Sequence, residues 1–235
     1  MTMRGFSDIQ NFENDAGLNF RDKNLLRQAF THRSYLNENR NSSLKHNERL
    51  EFLGDAVLEL VVTDYLYNTY PEYTEGDMTS FRSAVVNADN LFKIGTNLNI
   101  DEYLMLSRGE AKDKGRARQY IIANTVEAII GAIYLDSGYE ADKKFVHNFI
   151  IPEIEKIISS GTWIDSKSLF QEKAQDLVGT TPSYRTEKES GPDHDKHFTV
   201  GVYLRNDLVA IGEGRSKQDA EQEAAKKALE IKEWN

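Results

Sequence analysis

Three carboxylates, Glu48, Glu51 and Asp55, stand at i, i+3 and i+7 in the segment Asn47-Glu-Arg-Leu-Glu-Phe-Leu-Gly-Asp55. A helix turns by about 100° per residue, so they fall within an arc of about 60°. The same helix carries Leu50, Leu53, Ala56, Val57, Leu60 and Val61, so an acidic stripe runs along a core-forming element. Like charges at this spacing repel, and partial burial raises the cost. A divalent cation held by hard oxygen ligands removes both penalties. The plainer alternative is a solvated face on which Glu48 and Glu51 pair with Arg49 or Lys45.

A second segment narrows the choice. Ile121-Ile-Ala-Asn-Thr-Val-Glu-Ala-Ile-Ile-Gly-Ala-Ile-Tyr-Leu135 is apolar nearly all round and predicts a buried helix. Asn124 and Glu127 share one face of it. A lone Glu in such a helix needs a strong partner, a base or a metal. A further acid, Glu75, lies in Thr74-Glu-Gly-Asp77 just before another helix.

The elements that position these residues follow from periodicity. Helical spacing recurs over Lys23–Phe30, Arg49–Tyr67, Thr79–Ala88, Asn90–Ile94, Ile121–Leu135 and Ala141–Ile158. Ser107–Arg118 is polar and charged and reads as a mobile surface loop. Residues 159–166 read as a linker. Beyond it the period changes: a helix over Lys167–Val178, strands over Tyr184–Glu189, His197–Leu204 and Asp207–Gly212, then an Ala-rich helix over Ser216–Glu230 with Ser216 as N-cap. The expected architecture is an all-α domain over 1–158 and an α+β domain of order α-β-β-β-α over 167–233.

The 235 residues are 39% hydrophobic and 29% charged, the balance of a globular protein. No stretch approaches a transmembrane span, no membrane role is expected, and the N-terminus lacks a signal-peptide apolar run. The chain has no cysteine, which excludes disulfides and thiolate zinc sites and fits a reducing cytoplasm. Residues 163–235 hold 11 Lys+Arg against 14 Asp+Glu, a net of −3, leaving −6 of the total −9 for the rest. A nucleic-acid partner would therefore have to be held by local positive clusters and neutral hydrogen-bonding groups.

The string His46-Asn-Glu-Arg-Leu-Glu-Phe-Leu-Gly-Asp-Ala-Val-Leu58 resembles the signature of the ribonuclease III family. The resemblance extends through Ala29-Phe-Thr-His-Arg-Ser34, Glu75-Gly-Asp-Met-Thr79, Leu106-Ser-Arg-Gly-Glu110 and Glu127-Ala-Ile-Ile-Gly-Ala-Ile-Tyr-Leu-Asp136. The C-terminal part resembles a double-stranded-RNA-binding domain at Gln171-Glu172, Gly191-Pro-Asp-His194, Gly212-Glu-Gly-Arg-Ser-Lys217 and Ala220-Glu-Gln-Glu-Ala-Ala225.

The resemblance implies a homodimeric, cytoplasmic endonuclease that uses Mg²⁺, with Mn²⁺ as a substitute, and no small-molecule cofactor. It would cut duplex RNA to 5′-phosphate products with short 3′ overhangs, processing ribosomal and messenger precursors. Asp55 and Glu127 map onto the catalytic acids. Glu51, Asp55, Asn124 and Glu127 map onto the metal site, with Glu48 and Glu75 in support. Phe52 maps onto an aromatic that packs into the partner subunit, beside the alternative of an ordinary core Phe. RNA contacts are implied at Gln171, Glu172, Pro192, His194, Arg215, Ser216, Lys217 and Gln218. His32 is expected to be a buried, hydrogen-bonded structural residue in preference to a ligand or base, and Lys226 and Lys227 a solvated face with Glu223 and Glu230.

Asn124 departs from the family, whose common residue there is Asp. Asn keeps one carbonyl oxygen for coordination but brings no charge. Three explanations stand side by side: a natural variant that works with a weakened site, a substitution introduced to trap substrate, or a lineage that kept binding and gave up cleavage. The alternative function is thus a catalytically weakened or silent double-stranded-RNA-binding dimer.

Overall fold

The computed structural model describes residues 6–160, 163, 165–192 and 196–234. The chain divides into two compact units, one ending at Trp163 and one beginning at Ile164.

The first unit is helical: α1 Phe6–Ala16, α2 Lys23–Ala29, α3 Arg33–Glu38, α4 Glu48–Thr69, α5 Glu75–Val86, α6 Ala88–Asn97, α7 Ile100–Tyr103, α8 Arg116–Ser137, α9 Tyr139–Phe149 and α10 Ile151–Ser160. Its centre is the packing of α4 on α8. From α4, Leu50, Val57, Leu58, Val61, Val62 and Leu66 are buried; α8 is buried over most of its length, as its all-round apolar pattern requires. Two glycines set the crossing. A Cβ at Gly54 would lie 1.8 Å from the Glu127 carbonyl oxygen, and one at Gly131 would lie 2.2 Å from that of Leu50. Only glycine permits backbones to approach this closely.

The second unit holds α11 Ser166–Val178, β1 Ser183–Ser190, β2 His197–Leu204, β3 Asp207–Gly214 and α12 Lys217–Lys232. The strands form one antiparallel sheet in the order β1-β2-β3. Phe170, Val202, Ala210, Ala224, Ala225, Ala228 and Leu229 make its core. The alanines of α12 have a geometric reason: a Cβ on Gly212 would meet the Ala224 backbone nitrogen at 2.2 Å. Helix and strand lie flush, leaving no room for larger side chains. The expected all-α and α-β-β-β-α architectures are both present.

Several expectations change in detail. The helix expected over Ala141–Ile158 is two, because α9 ends at Phe149 with Ile150 as its C-cap and Pro152 sits in the first turn of α10, where a missing N–H costs nothing. Helix α5 begins at Glu75, so Glu75 opens the helix and does not precede it; Thr74 and Asp77 form a capping box. Residues 107–118 are anchored: Ser107 N–H donates to Ser34 Oγ at 3.0 Å and Arg108 N–H to the Glu38 carboxylate at 3.1 Å. Arg118 belongs to α8 and pairs with Asp101 at 2.5 Å. The helices also reach into the expected linker. Helix α10 runs through Ser160, Ser166 opens α11, and Trp163 packs edge-on against Phe81 at 4.6 Å. Among the described residues no helix is long and apolar enough to cross a membrane.

Candidate functional site

Because Gly54 rests on the Glu127 carbonyl, the acidic stripe of α4 faces the polar residues of α8. Asn124 Nδ2 donates to Glu51 Oε1 at 2.9 Å. A carboxylate only accepts, so the amide nitrogen must be the atom turned towards it. Glu51 and Glu127 are half-buried, and Asp55 is exposed at the same cleft. Burial raises the Glu51 carboxyl, the Asn124 amide opposes that rise, and Glu48 and Asp55 add to it. Burial pushes Glu127 up to about 8, helped by Asp55 and Glu51. These mutual influences bring Glu51, Asp55, Asn124 and Glu127 together electrostatically.

The other predicted acids differ. Glu48 lies at the margin, 3.4 Å from Arg33 and 3.7 Å from His46, so the ion pairing expected of a solvated acid is made, but not by Arg49 or Lys45. Glu75 accepts from Thr79 Oγ1 at 3.3 Å on its own helix and is absent from the charges acting on Glu51 and Glu127. Among the described residues no group of three or more Asp, Glu or His side chains forms a ready-made cation cage. At one corner the Asn124 amide closes on Glu51. The donors themselves suit a hard divalent cation. The carboxylates of Glu51, Asp55 and Glu127 offer oxygens, and Asp55 acts on both Glu51 and Glu127, whose side chains are half-buried.

His32 caps α3, with Nδ1 2.8 Å from Ser34 Oγ, and burial lowers its pKa. That is the structural role expected, although the ring is only partly buried. Phe52 is 81% exposed, which removes the core-Phe alternative. Ala56, Leu60, Thr63 and Tyr67 continue its exposed stripe along α4.

In the second unit Gln171, Lys217 and Gln218 line one cleft between the opening turns of α11 and α12. Glu172, Pro192 and Arg215 are exposed outside its lining. Ser216 is the N-cap of α12; its Oγ accepts from Asp219 N–H at 3.1 Å in a capping box. His194 lies outside the described residues. Lys227 pairs with Glu223 at 3.4 Å, as a solvated face would. Sequence reasoning missed Gly54 and Gly131, whose position inside helical patterns is the available signal. It also missed Asp165, Lys167, Tyr184, Glu221 and Gln222, which line the same cleft as Gln171 and carry no signal from spacing, since they meet only through the fold.

Comparison with known proteins accounts for both units. Residues 22–154 match a family model described as ribonuclease-III-like, and residues 166–232 match the double-stranded RNA binding motif. Ribonuclease 3 of Enterococcus faecalis is 46% identical over 213 residues, covering 91% of this chain and 92% of that protein. Ribonuclease 3 of Syntrophomonas wolfei is 47% identical over 224 residues, covering 94% of each. The solved nuclease domain of ribonuclease III from Campylobacter jejuni, from a study of flexibility in a region involved in dimer formation, is 39% identical. It covers 60% of this chain and 95% of its own, with a TM-score of 0.55. The helical unit with its acidic residues and the α-β-β-β-α unit that follows it in sequence therefore belong to one protein type, and the chain is a member of the ribonuclease III family of double-stranded-RNA endoribonucleases.

Proposed function

We propose that Glu51, Asp55, Asn124 and Glu127 form the metal-dependent centre that hydrolyses the duplex backbone, with Asp55 and Glu127 as its catalytic acids. The observation that carries this is the half-buried Glu127 carboxyl set against two further acids by the Gly54–Gly131 crossing. A divalent cation, Mg²⁺ or Mn²⁺ in its place, supplies Lewis-acid stabilisation and an acidified water when bound there. The chain supplies orientation. Glu51 and Asp55 stand one helical turn apart on α4, and Asn124 and Glu127 face them from α8. Glu127, held protonated up to about pH 8 by burial first and by Asp55 and Glu51 second, is the group placed to accept a proton there when it is ionised. Asn124 offers either its amide to Glu51 or its carbonyl oxygen to an ion, and rotation of one amide switches between them.

Glu48 and Glu75 act, in this reading, as peripheral acids. The RNA duplex is gripped by the second unit through Gln171, Glu172, Pro192, His194, Arg215, Ser216, Lys217 and Gln218, reading 2′-hydroxyls and phosphates. The exposed Phe52 stripe is the face on which two copies of the chain meet. Products carry 5′-phosphates and short 3′ overhangs, and the substrates are structured ribosomal and messenger precursors in the cytoplasm. The ribonuclease relatives favour cleavage over the silent-binder alternative. Digestion of a long RNA duplex in Mg²⁺, Mn²⁺ and chelator tests the proposal. Short duplex products with 5′-phosphates are expected in either metal; products in chelator alone would contradict it.

A further inference from the structure

The cleft of the second unit contains a set of contacts that the RNA contacts themselves do not explain. Lys167 Nζ lies 2.5 Å from the Glu221 carboxylate. Gln222 Nε2 donates to Asp165 Oδ1 at 2.7 Å, and Lys167 N–H donates to Gln222 Oε1 at 3.3 Å. Asp165 at the same time caps α11, accepting from the N–H groups of Lys167 and Ser168. Lys167 Nζ sits 5.0 Å from the centre of the Tyr184 ring, whose buried hydroxyl has no partner among the described residues. The lysine is thus held by a charge, by a ring and by the start of its own helix.

The spacing of these residues is what gives them a function. Gln171 is four residues beyond Lys167, Lys217 four before Glu221, and Gln218 four before Gln222. Residues four apart on a helix are neighbours on one face. Each helix therefore carries its tie one turn away from its RNA contact, within the same cleft. We infer that Asp165, Lys167, Glu221 and Gln222 are positioning residues, a clamp that fixes the opening turns of α11 and α12 and so sets the separation of Gln171 from Lys217 and Gln218. An A-form RNA duplex presents minor-groove 2′-hydroxyls at a set distance from the phosphates that flank the major groove, whereas B-form DNA has no such hydroxyls and a different groove geometry, so this separation governs how well the unit favours RNA over DNA. The inference rests on the duplex-RNA reading of this unit.

Two simpler roles make opposite predictions. If Lys167 were a phosphate contact masked by Glu221, deleting Glu221 would free a cation, remove an acid and strengthen binding. If the ties served stability alone, their loss would lower RNA and DNA binding together. The test uses the full chain in chelator, a duplex of about 20 base pairs (longer than the ~16 such a domain spans) as RNA and as DNA, and the variants Glu221→Ala, Lys167→Met and Lys167→Arg. The clamp predicts that Glu221→Ala and Lys167→Met weaken RNA binding about tenfold, the scale of one lost charge-assisted hydrogen bond. DNA binding stays within about twofold by the same free-energy scale, and Lys167→Arg keeps the RNA preference. Tighter RNA binding by Glu221→Ala, or a parallel loss on RNA and DNA, overturns the clamp while the duplex-RNA reading stands. A parent protein with no preference for the RNA duplex overturns that reading and the clamp with it.

Discussion

Replacing Glu127 by Gln should stabilise the metal-free protein, by an amount that grows with pH. In the folded chain burial and the neighbouring Asp55 and Glu51 raise the carboxyl from 4.5 to about 8. A folded pKa above the unfolded one means that the native state holds its proton more tightly. Stability from this group is complete below about pH 4.5, declines as pH rises towards 8, and is flat beyond. At pH 7 the shift corresponds to about 3 kcal/mol, at 1.36 kcal/mol per unit. Partial solvent access and coupling to Glu51 reduce that to about 2 kcal/mol. The uncharged Gln escapes this cost at every pH. For a unit of this size, 2 kcal/mol is about 4–8 °C in melting temperature. Thermal unfolding of the parent and Glu127→Gln in chelator at pH 5 and pH 8 measures the effect directly. A gap near zero at pH 5 that opens to several degrees at pH 8 is expected. A variant less stable than the parent, or a gap independent of pH, refutes the electrostatic account of the cleft.

Other perturbations bear on other parts of the account. Asp142 is fully buried with neither carboxylate oxygen partnered among the described residues, and burial pushes it up to about 8; Asp142→Ala should stabilise the fold by about 2 kcal/mol at pH 7, read as a higher melting temperature, with the gain shrinking as pH falls towards 4. Gly54→Ala drives a Cβ into the Glu127 carbonyl and should cost about 3 kcal/mol, with loss of cleavage even in the fraction that remains folded. Phe52→Ala should leave the melting of the isolated subunit unchanged, because the ring is exposed, yet weaken self-association by about 2 kcal/mol in sedimentation. An unchanged dimer would remove the α4 stripe as the meeting face.

The parts legible in the sequence were those written in period and residue type. The buried α8 followed from its unbroken apolar run, and the small second unit from the change of period after residue 166. Ser216 was recognisable as a cap because a short polar side chain preceded an alanine-rich run, and the structure adds its reciprocal partner Asp219. The acids of α4 and α8 could each be placed on a face, but not against one another. That juxtaposition depends on Gly54 and Gly131, whose effect is exerted across the chain. The same limit hid the Lys167–Glu221 tie, which joins residues 54 apart. Helix α3 escaped notice because it has no buried residue to mark a periodic face. Residues 107–118 read as a mobile loop because they are polar. Their anchoring comes from backbone N–H groups bonding to Ser34 and Glu38, and a backbone donor has no signature in residue type.

The central claim, that the α4–α8 acids and Asn124 form a metal-dependent cleavage centre, is tested most directly by the Mg²⁺ dependence of single-turnover cleavage of one RNA duplex. The parent and the variants Asn124→Asp and Glu127→Gln should be measured side by side. The account predicts that the parent cleaves only with metal and that Asn124→Asp reaches its maximal rate at lower Mg²⁺, because a second carboxylate replaces the amide now bonded to Glu51. Glu127→Gln should be nearly inactive at any Mg²⁺ concentration. Cleavage that persists in chelator, or a Glu127→Gln variant as fast as the parent, would contradict it.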